Sequence, residues 1–505
     1  MDGDYLQRIL KARVYEVAIE SPLEHAPRLS RRLGHELWLK REDLQPVFSF
    51  KLRGAFNKIA HLDAATAERG VITASAGNHA QGVALAAQRR GIRALVVMPR
   101  TTPDIKVRAV ADLGGEVVLH GDLFDAAFEH AQQLARKQQL AFVHPFDDDD
   151  VIAGQGTIGV EIMRQAGGGL DAIFVPVGGG GLIAGIAAYV KAEHPRVRIV
   201  GVEPVDSAAM HDSLRAGKRV TLERVGLFAD GVAVRRVGER CFEIARRHVD
   251  EVVLVDTDEI CGAIQDVYED TRTALEPAGA LAVAGAKRYA ARGGPPGRRF
   301  VAINSGANLN FDRLRYIAER ADLGAGREAV LAVEIPEQPG SFLRFCGVLG
   351  QHSVTEFNYR YQGVERAQLF VGFGLNPGQE SCAAVIARLR AAGYGVVDMS
   401  GNEMAKLHVR YMIGGNGRGL ADERIFRFEF PERPGALLAF LEAIGSAWNI
   451  TLFHYRNHGS DNGRVLAGIQ VPQAGRELFL SHLQALGYPY SEETANPAYR
   501  SFLAA

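Results

Sequence analysis

The chain has 505 residues, and at roughly 100–200 residues per domain this length predicts about three domains. Hydrophobic residues make up 47% and charged residues 23%, a globular balance that excludes disordered and fibrous classes. Lys+Arg 58 against Asp+Glu 59 leaves a net charge of -1, so the broad basic field that nucleic acid or an anionic membrane needs is missing.

The N-terminus, from Asp2 through Arg8, Lys11 and Arg13 to Glu16, is charged every few residues and does not read as a signal peptide. The longest apolar run, Leu182 to Val190, suits a buried helix and is too short for a membrane span. A cytoplasmic protein is expected. After Lys51, the residues Leu52, Ala55, Phe56, Ile59 and Ala60 keep the spacing of an amphipathic helix, with Ser49 placed to cap it. After Asn78 the same spacing recurs, and Gly91 ends it. From Val71 to Ser305 such helical patterns alternate with short β-rich runs, the signature of βαβ units in a parallel sheet. The predicted strands are Val71–Ala74, Ala94–Met98, Glu116–Leu119, Ala141–Val143, Ala172–Val177, Ile199–Val202, Glu251–Val255 and Phe300–Ile303.

Gly324-Ala325-Gly326 reads as a joint. Beyond it Glu334-Ile335-Pro336-Glu337-Gln338-Pro339-Gly340 returns as Glu429-Phe430-Pro431-Glu432-Arg433-Pro434-Gly435, and Phe357-Asn358-Tyr359-Arg360 returns as Phe453-His454-Tyr455-Arg456. Each copy reads strand, Pro-Gly turn, helix, strand, strand, helix, a ferredoxin-like α+β layout. The expected domains are 1–323, 328–400 and 424–497. Cys241, Cys261, Cys346 and Cys382 form no C-x-x-C pair and read as buried, reduced thiols.

Four segments carry chemistry. In Ser49-Phe50-Lys51-Leu52-Arg53-Gly54-Ala55 a lysine stands where a loop enters a helix, and the positive end of the dipole disfavours its ammonium form. That suits an amine that must attack an aldehyde, although a lysine taken alone is usually a solvated surface residue. Ser75-Ala76-Gly77-Asn78-His79 joins a strand end to a helix start, where free backbone N–H groups bind carboxylates. Gly178-Gly179-Gly180-Gly181-Leu182 lets amides approach a phosphate, and it matches neither the G-x-G-x-x-G fingerprint nor a P-loop. Asn304-Ser305-Gly306-Ala307-Asn308 ends the last strand, at the edge that lines the crevice of an open α/β sheet. An amine, a carboxylate-binding turn, a phosphate cradle and a neutral hydroxyl together suit an enzyme that uses pyridoxal 5′-phosphate on an amino acid.

In this order the segments resemble the fold-type II pyridoxal-phosphate family, most closely its threonine ammonia-lyase (threonine deaminase) branch. Glu42-Asp43-Leu44-Gln45, His144-Pro145-Phe146-Asp147-Asp148, Ile152–Thr157 and Gly201-Val202-Glu203-Pro204 resemble it too. The doubled tail is similar to the two ACT-like regulatory domains of the biosynthetic form. The resemblance implies a two-lobed parallel-sheet catalytic domain followed by two ACT-like domains. It implies that L-threonine is converted to 2-oxobutanoate, at the first step of isoleucine biosynthesis, by a homotetramer that isoleucine inhibits and valine relieves. By the same resemblance Lys51 bonds the cofactor and moves the Cα proton, and Asn78 binds the ring hydroxyl. Gly178, Gly179, Gly180, Gly181 and Leu182 surround the phosphate, Ser305 faces the ring nitrogen, and Phe50 packs on the ring or in the core. Ser75, Gly77, Asn78 and His79 hold the substrate.

Ala76 stands where racemases of the family carry a serine, which argues against racemisation. Ala209 stands at the later acidic position of the cation-binding members, so Glu203 lacks its companion and no metal is expected. Asp147 to Asp150 reads as a solvated, self-repelling loop. A serine-preferring dehydratase with the same machinery remains open. So does a non-catalytic amino-acid sensor, against which intact Lys51, Asn78 and Ser305 argue.

Overall fold

The computed structural model describes residues 2–100, 102–121, 124–226, 228–311, 313–360, 365–375, 380–402, 405–406, 421–431, 436–444, 448–456, 462–486 and 488–496. The chain divides into two compact units, Met1–Gly324 and Ala325–Ala505.

In chain order the strands of the first unit are β1 (Leu23–His25), β2 (Glu36–Arg41), β3 (Val71–Ala74), β4 (Ala94–Met98) and β5 (Glu116–Leu119), then β6 (Ala141–Phe142), β7 (Ala172–Pro176), β8 (Arg198–Pro204), β9 (Glu251–Val255) and β10 (Arg299–Asn304). They form two sheets. One has the order β1-β2-β10-β7-β8-β9 and is parallel except for β1, and the other is the parallel sheet β5-β4-β3-β6. Every residue of β3, β4 and β7 is buried, as expected for strands covered on both faces, and the two-lobed parallel architecture is borne out. All eight predicted strands form, four with the predicted ends and four with ends shifted by a residue or two. β1 and β2 were not legible, because β2 ends in Lys40 and Arg41, charges that a sequence reading sends to the surface although both are buried.

Those charges belong to a buried network. Arg53 donates to Glu42 Oε1 at 2.8 Å and to Glu161 Oε1 at 2.6 Å, and Lys40 Nζ donates to Glu161 Oε2 at 2.6 Å, all four side chains being fully buried. Above it the helix Lys51–Ala60 lies backbone to backbone on the helix Asp149–Ala166. A Cβ on Gly54 would stand 2.7 Å from Val151 O, and one on Gly154 2.7 Å from Gly54 Cα. Small residues here set where Lys51 enters the cleft.

The predicted apolar run lies in the buried helix Gly181–Glu193, and among the described residues no helix is long and apolar enough to cross a membrane. None of the four cysteines forms a disulfide among the described residues. Cys241, Cys261 and Cys346 are buried, but Cys382 is half-exposed with Sγ 3.7 Å from Asp398 Oδ2, which corrects the expectation of four buried thiols.

The second unit holds β11 (Glu328–Pro336), β12 (Val354–Arg360), β13 (Arg366–Gly374), β14 (Gly395–Asp398), β15 (Glu423–Pro431), β16 (Asn449–Arg456), β17 (Asn462–Gln470) and β18 (Tyr490–Glu492). The two copies share one antiparallel sheet of order β14-β11-β13-β12-β16-β17-β15-β18, joined where Phe357 faces Tyr455 and Tyr359 faces Phe453. Each copy bends its strand at a bulge, near Thr355 and Thr451. Thr355 donates to Glu328, and Thr451 donates to Glu423 at 2.5 Å. A Cβ on Gly372 or Gly468 of the facing strand would come within 2.6 or 2.8 Å of the respective threonine Oγ1, so the duplication extends to matched contacts. The second Pro-Gly turn, at 432–435, lies outside the described residues.

Candidate active site

Lys51 is the first residue of its helix, and Phe50 takes the N-cap position. Ser49 therefore does not cap the helix as expected, although its Oγ accepts from Lys51 N at 3.3 Å. Lys51 Nζ donates to Pro145 O at 3.0 Å and lies 5.3 Å from the centre of the Phe50 ring, which packs against the core. Burial lowers the amine to about 8, against the pull of Cys241 and Glu276. Burial is thus the main cause, where the sequence suggested the helix dipole.

Three other chain segments meet this lysine. Phe50 N donates to Ser305 O at 3.3 Å, Ser49 bridges Gly306, and Ala307 N donates to Phe48 O at 2.9 Å, so the loop after β10 lies along the loop before Lys51. Ser305 is buried, and its Oγ donates to Ala278 O at 3.3 Å. Asn78 opens its helix beside them, tied to Glu276 and Asn308.

Phe146, next to Pro145, links Lys51 to the glycine loop. A Cβ on Gly179 would lie 2.2 Å from the Phe146 ring and one on Gly181 2.8 Å from Phe146 O. Gly180 has φ +100, a left-handed conformation that favours glycine, and it caps the helix that continues with Gly181 and Leu182. The first amides of that helix have no intrahelical acceptor, which makes its start a seat for an anion.

Ser75 Oγ accepts from Gly77 N at 3.3 Å, and a Cβ on Gly77 would meet nothing within 4 Å, so the turn faces open space. The His79 ring is turned away to Val143 O at 3.0 Å and is buried, which lowers its pKa to about 3 and keeps it neutral. The structure thus brings Lys51, Phe50, Asn78 and Ser305 together, ties them to the glycine loop through Pro145 and Phe146, and directs the His79 imidazole elsewhere.

Sequence reasoning missed Glu276, although a Glu before a Pro that opens an alanine-rich helix is a visible signal. It misread Asp147 to Asp150. Asp147 accepts from the amides of Glu239 and Arg240, and Asp148 caps the helix Asp149–Ala166. Asp149 pairs with Arg240 and Asp150 with Lys58, so the carboxylates answer helix ends and cations rather than repelling one another in solvent. Glu203 accepts from Met210 N and His211 N, each at 2.8 Å, while burial raises its carboxyl to about 8. Glu203→Ala is expected to cost about 1–3 kcal/mol by stranding those amides, read as a lower urea midpoint.

A family model described as pyridoxal-phosphate dependent enzyme matches residues 15–306, and one described as C-terminal regulatory domain of threonine dehydratase matches 319–409 and 415–503. The biosynthetic L-threonine dehydratase of Burkholderia multivorans is 57% identical over 503 residues, covering 99% of each chain. That of Escherichia coli is 52% identical over 502 residues, covering 99% of this chain and 97% of its own. The chain belongs to the biosynthetic threonine dehydratase family of pyridoxal-phosphate dependent enzymes.

Among solved structures, the processed form of threonine deaminase isoform 2 from Solanum lycopersicum matches with TM-score 0.63 and 53% identity, covering 64% of this chain and 88% of its own. Maize serine racemase matches at TM-score 0.58 and 32% identity, covering 62% of this chain and 95% of its own. The residues present fit the family's cofactor. A buried amine stands ready for an aldehyde, and the close approach at Gly179 and Gly181 leaves no room for side chains in the cradle.

Proposed function

We propose that this chain converts L-threonine to 2-oxobutanoate and ammonia with pyridoxal 5′-phosphate, as the first step of isoleucine biosynthesis, in a cytoplasmic homotetramer that isoleucine inhibits and valine relieves. Residues 1–323 would be the catalytic domain and 328–400 and 424–497 the regulatory domains, residue 497 lying outside the described residues. The observation that carries the activity is the buried amine of Lys51, held at Pro145 O, with the glycine loop tied to it through Phe146 and Ser305 through Phe50. When bound, the cofactor supplies the electron sink that makes the Cα proton removable.

Around it, the amides that open the helix Gly181–Glu193 would hold the phosphate, and one Asn78 N–H would take the ring hydroxyl. The neutral Ser305 hydroxyl would face the ring nitrogen, and a hydroxyl cannot balance a full pyridinium charge as an aspartate would. The turn Ser75–His79 holds the substrate carboxylate through its amides. Lys51, lowered to about 8, moves the proton at Cα. Ala76 has no hydroxyl to return a proton from the opposite face, so loss of the β-hydroxyl follows and not racemisation.

The regulatory reading is supported by a shallow, solvent-open hollow in the second unit, lined by Pro336, Glu337, Phe342 and Tyr359 of one copy and Leu441 and Trp448 of the other. Tyr359 donates to Glu337 Oε1, and Glu337 Oε2 is buried with no partner among the described residues. A carboxylate beside apolar walls suits the ammonium and side chain of an aliphatic amino acid. Full-length enzyme assayed for 2-oxoacid release should prefer threonine over serine and be inhibited by isoleucine. A chain ended after Gly324 should keep activity and lose that response. Indifference of the full chain to isoleucine, or inhibition that survives the truncation, overturns the regulatory reading, and a preference for serine overturns the substrate.

A further inference from the structure

Glu276 is the N-cap of the helix Pro277–Ala291, where a carboxylate ordinarily accepts from its own helix amides. Its side chain makes no such bond and reaches Asn78 instead, where Glu276 Oε1 accepts from Asn78 Nδ2 at 2.6 Å. Asn78 Oδ1 accepts from Asn308 Nδ2 at 2.7 Å, and Asn308 Nδ2 also donates to Val47 O at 2.8 Å.

The orientation of both amides follows from the chemistry of the ends. Val47 O can only accept, so Asn308 must present its NH₂ group, whose two hydrogens are then both spent. Asn78 therefore presents its oxygen to Asn308 and its NH₂ to Glu276. Of the four hydrogen-bonding valences of the Asn78 amide, one N–H and one oxygen lone pair remain. Space at this point is closed: a Cβ on Gly306 would lie 2.3 Å from Glu276 Oε1 and 3.2 Å from Asn78 Nδ2. Burial raises the Glu276 carboxyl to about 7, with Asp230 pushing it further up and Asn78, Lys106 and Arg313 pulling it down. Oε1 accepts from Asn78 whether or not Oε2 carries a proton.

We propose that Glu276 and Asn308 are positioning residues that clamp the Asn78 carboxamide from its two ends and leave a single N–H to face the cofactor ring hydroxyl. The clamp runs from the backbone at Val47, four residues before Lys51, to the N-terminus of the helix Pro277–Ala291, so the lysine loop and the ring-binding amide are set by one chain of bonds. This rests on the reading that the chain binds pyridoxal 5′-phosphate.

The test titrates full-length apoprotein with pyridoxal 5′-phosphate and records the visible spectrum of the holoenzyme for wild type, Glu276→Ala, Glu276→Gln and Asn308→Ala. Glu276→Ala and Asn308→Ala are each expected to weaken cofactor binding about tenfold or more and to shift the visible maximum. Glu276→Gln keeps a carbonyl oxygen toward Asn78 and should restore affinity to within about threefold, together with the wild-type maximum. A purely structural role would lower the thermal midpoint and leave the visible maximum in place. Wild-type affinity and spectrum in Glu276→Ala or in Asn308→Ala overturn the clamp, as does a Glu276→Gln protein as defective as Glu276→Ala. Should Glu276→Ala fail to fold, Asn308→Ala and Glu276→Gln still decide the matter. Failure of the wild-type protein to bind pyridoxal 5′-phosphate would instead overturn the functional reading.

Discussion

Lys51→Ala is expected to abolish 2-oxobutanoate release and the visible absorbance of the bound cofactor while leaving the fold intact. Among the described residues the side chain makes one hydrogen bond, to Pro145 O, so its removal strands only a carbonyl there. Its chemistry depends on an available neutral amine. With the amine lowered to about 8, roughly one in ten is neutral at pH 7, against about three in ten thousand for an ordinary lysine. Burial therefore raises the share of the reactive neutral form by orders of magnitude. An activity above about a thousandth of wild type, with circular dichroism unchanged, would show that another group moves the proton.

Arg53→Ala should be the most damaging change outside the cleft. It leaves Glu42 and Glu161 fully buried with Lys40 as the remaining cation of the network, and breaking such a set by removing one partner costs about 3–5 kcal/mol. The pH dependence carries a sign. Burial pushes Glu161 up, but Arg53 and Lys40 more than offset that and hold it below the usual carboxylate range. A carboxylate so lowered contributes stability above its unfolded value and loses it as the pH falls through its folded value. The deficit of the variant, measured as a urea midpoint against wild type, should be full near pH 7 and shrink below about pH 4.5. An equal deficit at both ends, or none, would mean that Arg53 is held by packing alone. Because Lys51 lies two residues earlier on the same helix, cofactor affinity should fall with stability.

What the sequence by itself determined is the set of local junctions. Glycines and asparagines where apolar runs end, and a change of hydrophobic period on either side, placed the loops at Ser75–His79, Gly178–Leu182 and Asn304–Asn308 at the strand ends where the structure has them. Such signals need only neighbouring residues. The doubled tail was legible for the same reason, as a repeat of short motifs, yet its sharing of one eight-stranded sheet was not, since strand pairing between copies leaves no mark in either copy. The tertiary structure alone decided what crosses long stretches of chain. Asn78 meets Glu276 across 198 residues and Asn308 across 230, Arg53 meets Glu161 across 108, and Lys51 meets Pro145 across 94. The sequence reading sent the aspartates 147–150 toward water, and it held no signal that Arg53 and Glu161 are buried. The fold reversed that where a partner of opposite sign or a helix end stood within hydrogen-bond reach, because in a dry interior a group's state is set by the atoms packed against it rather than by its neighbours in the chain.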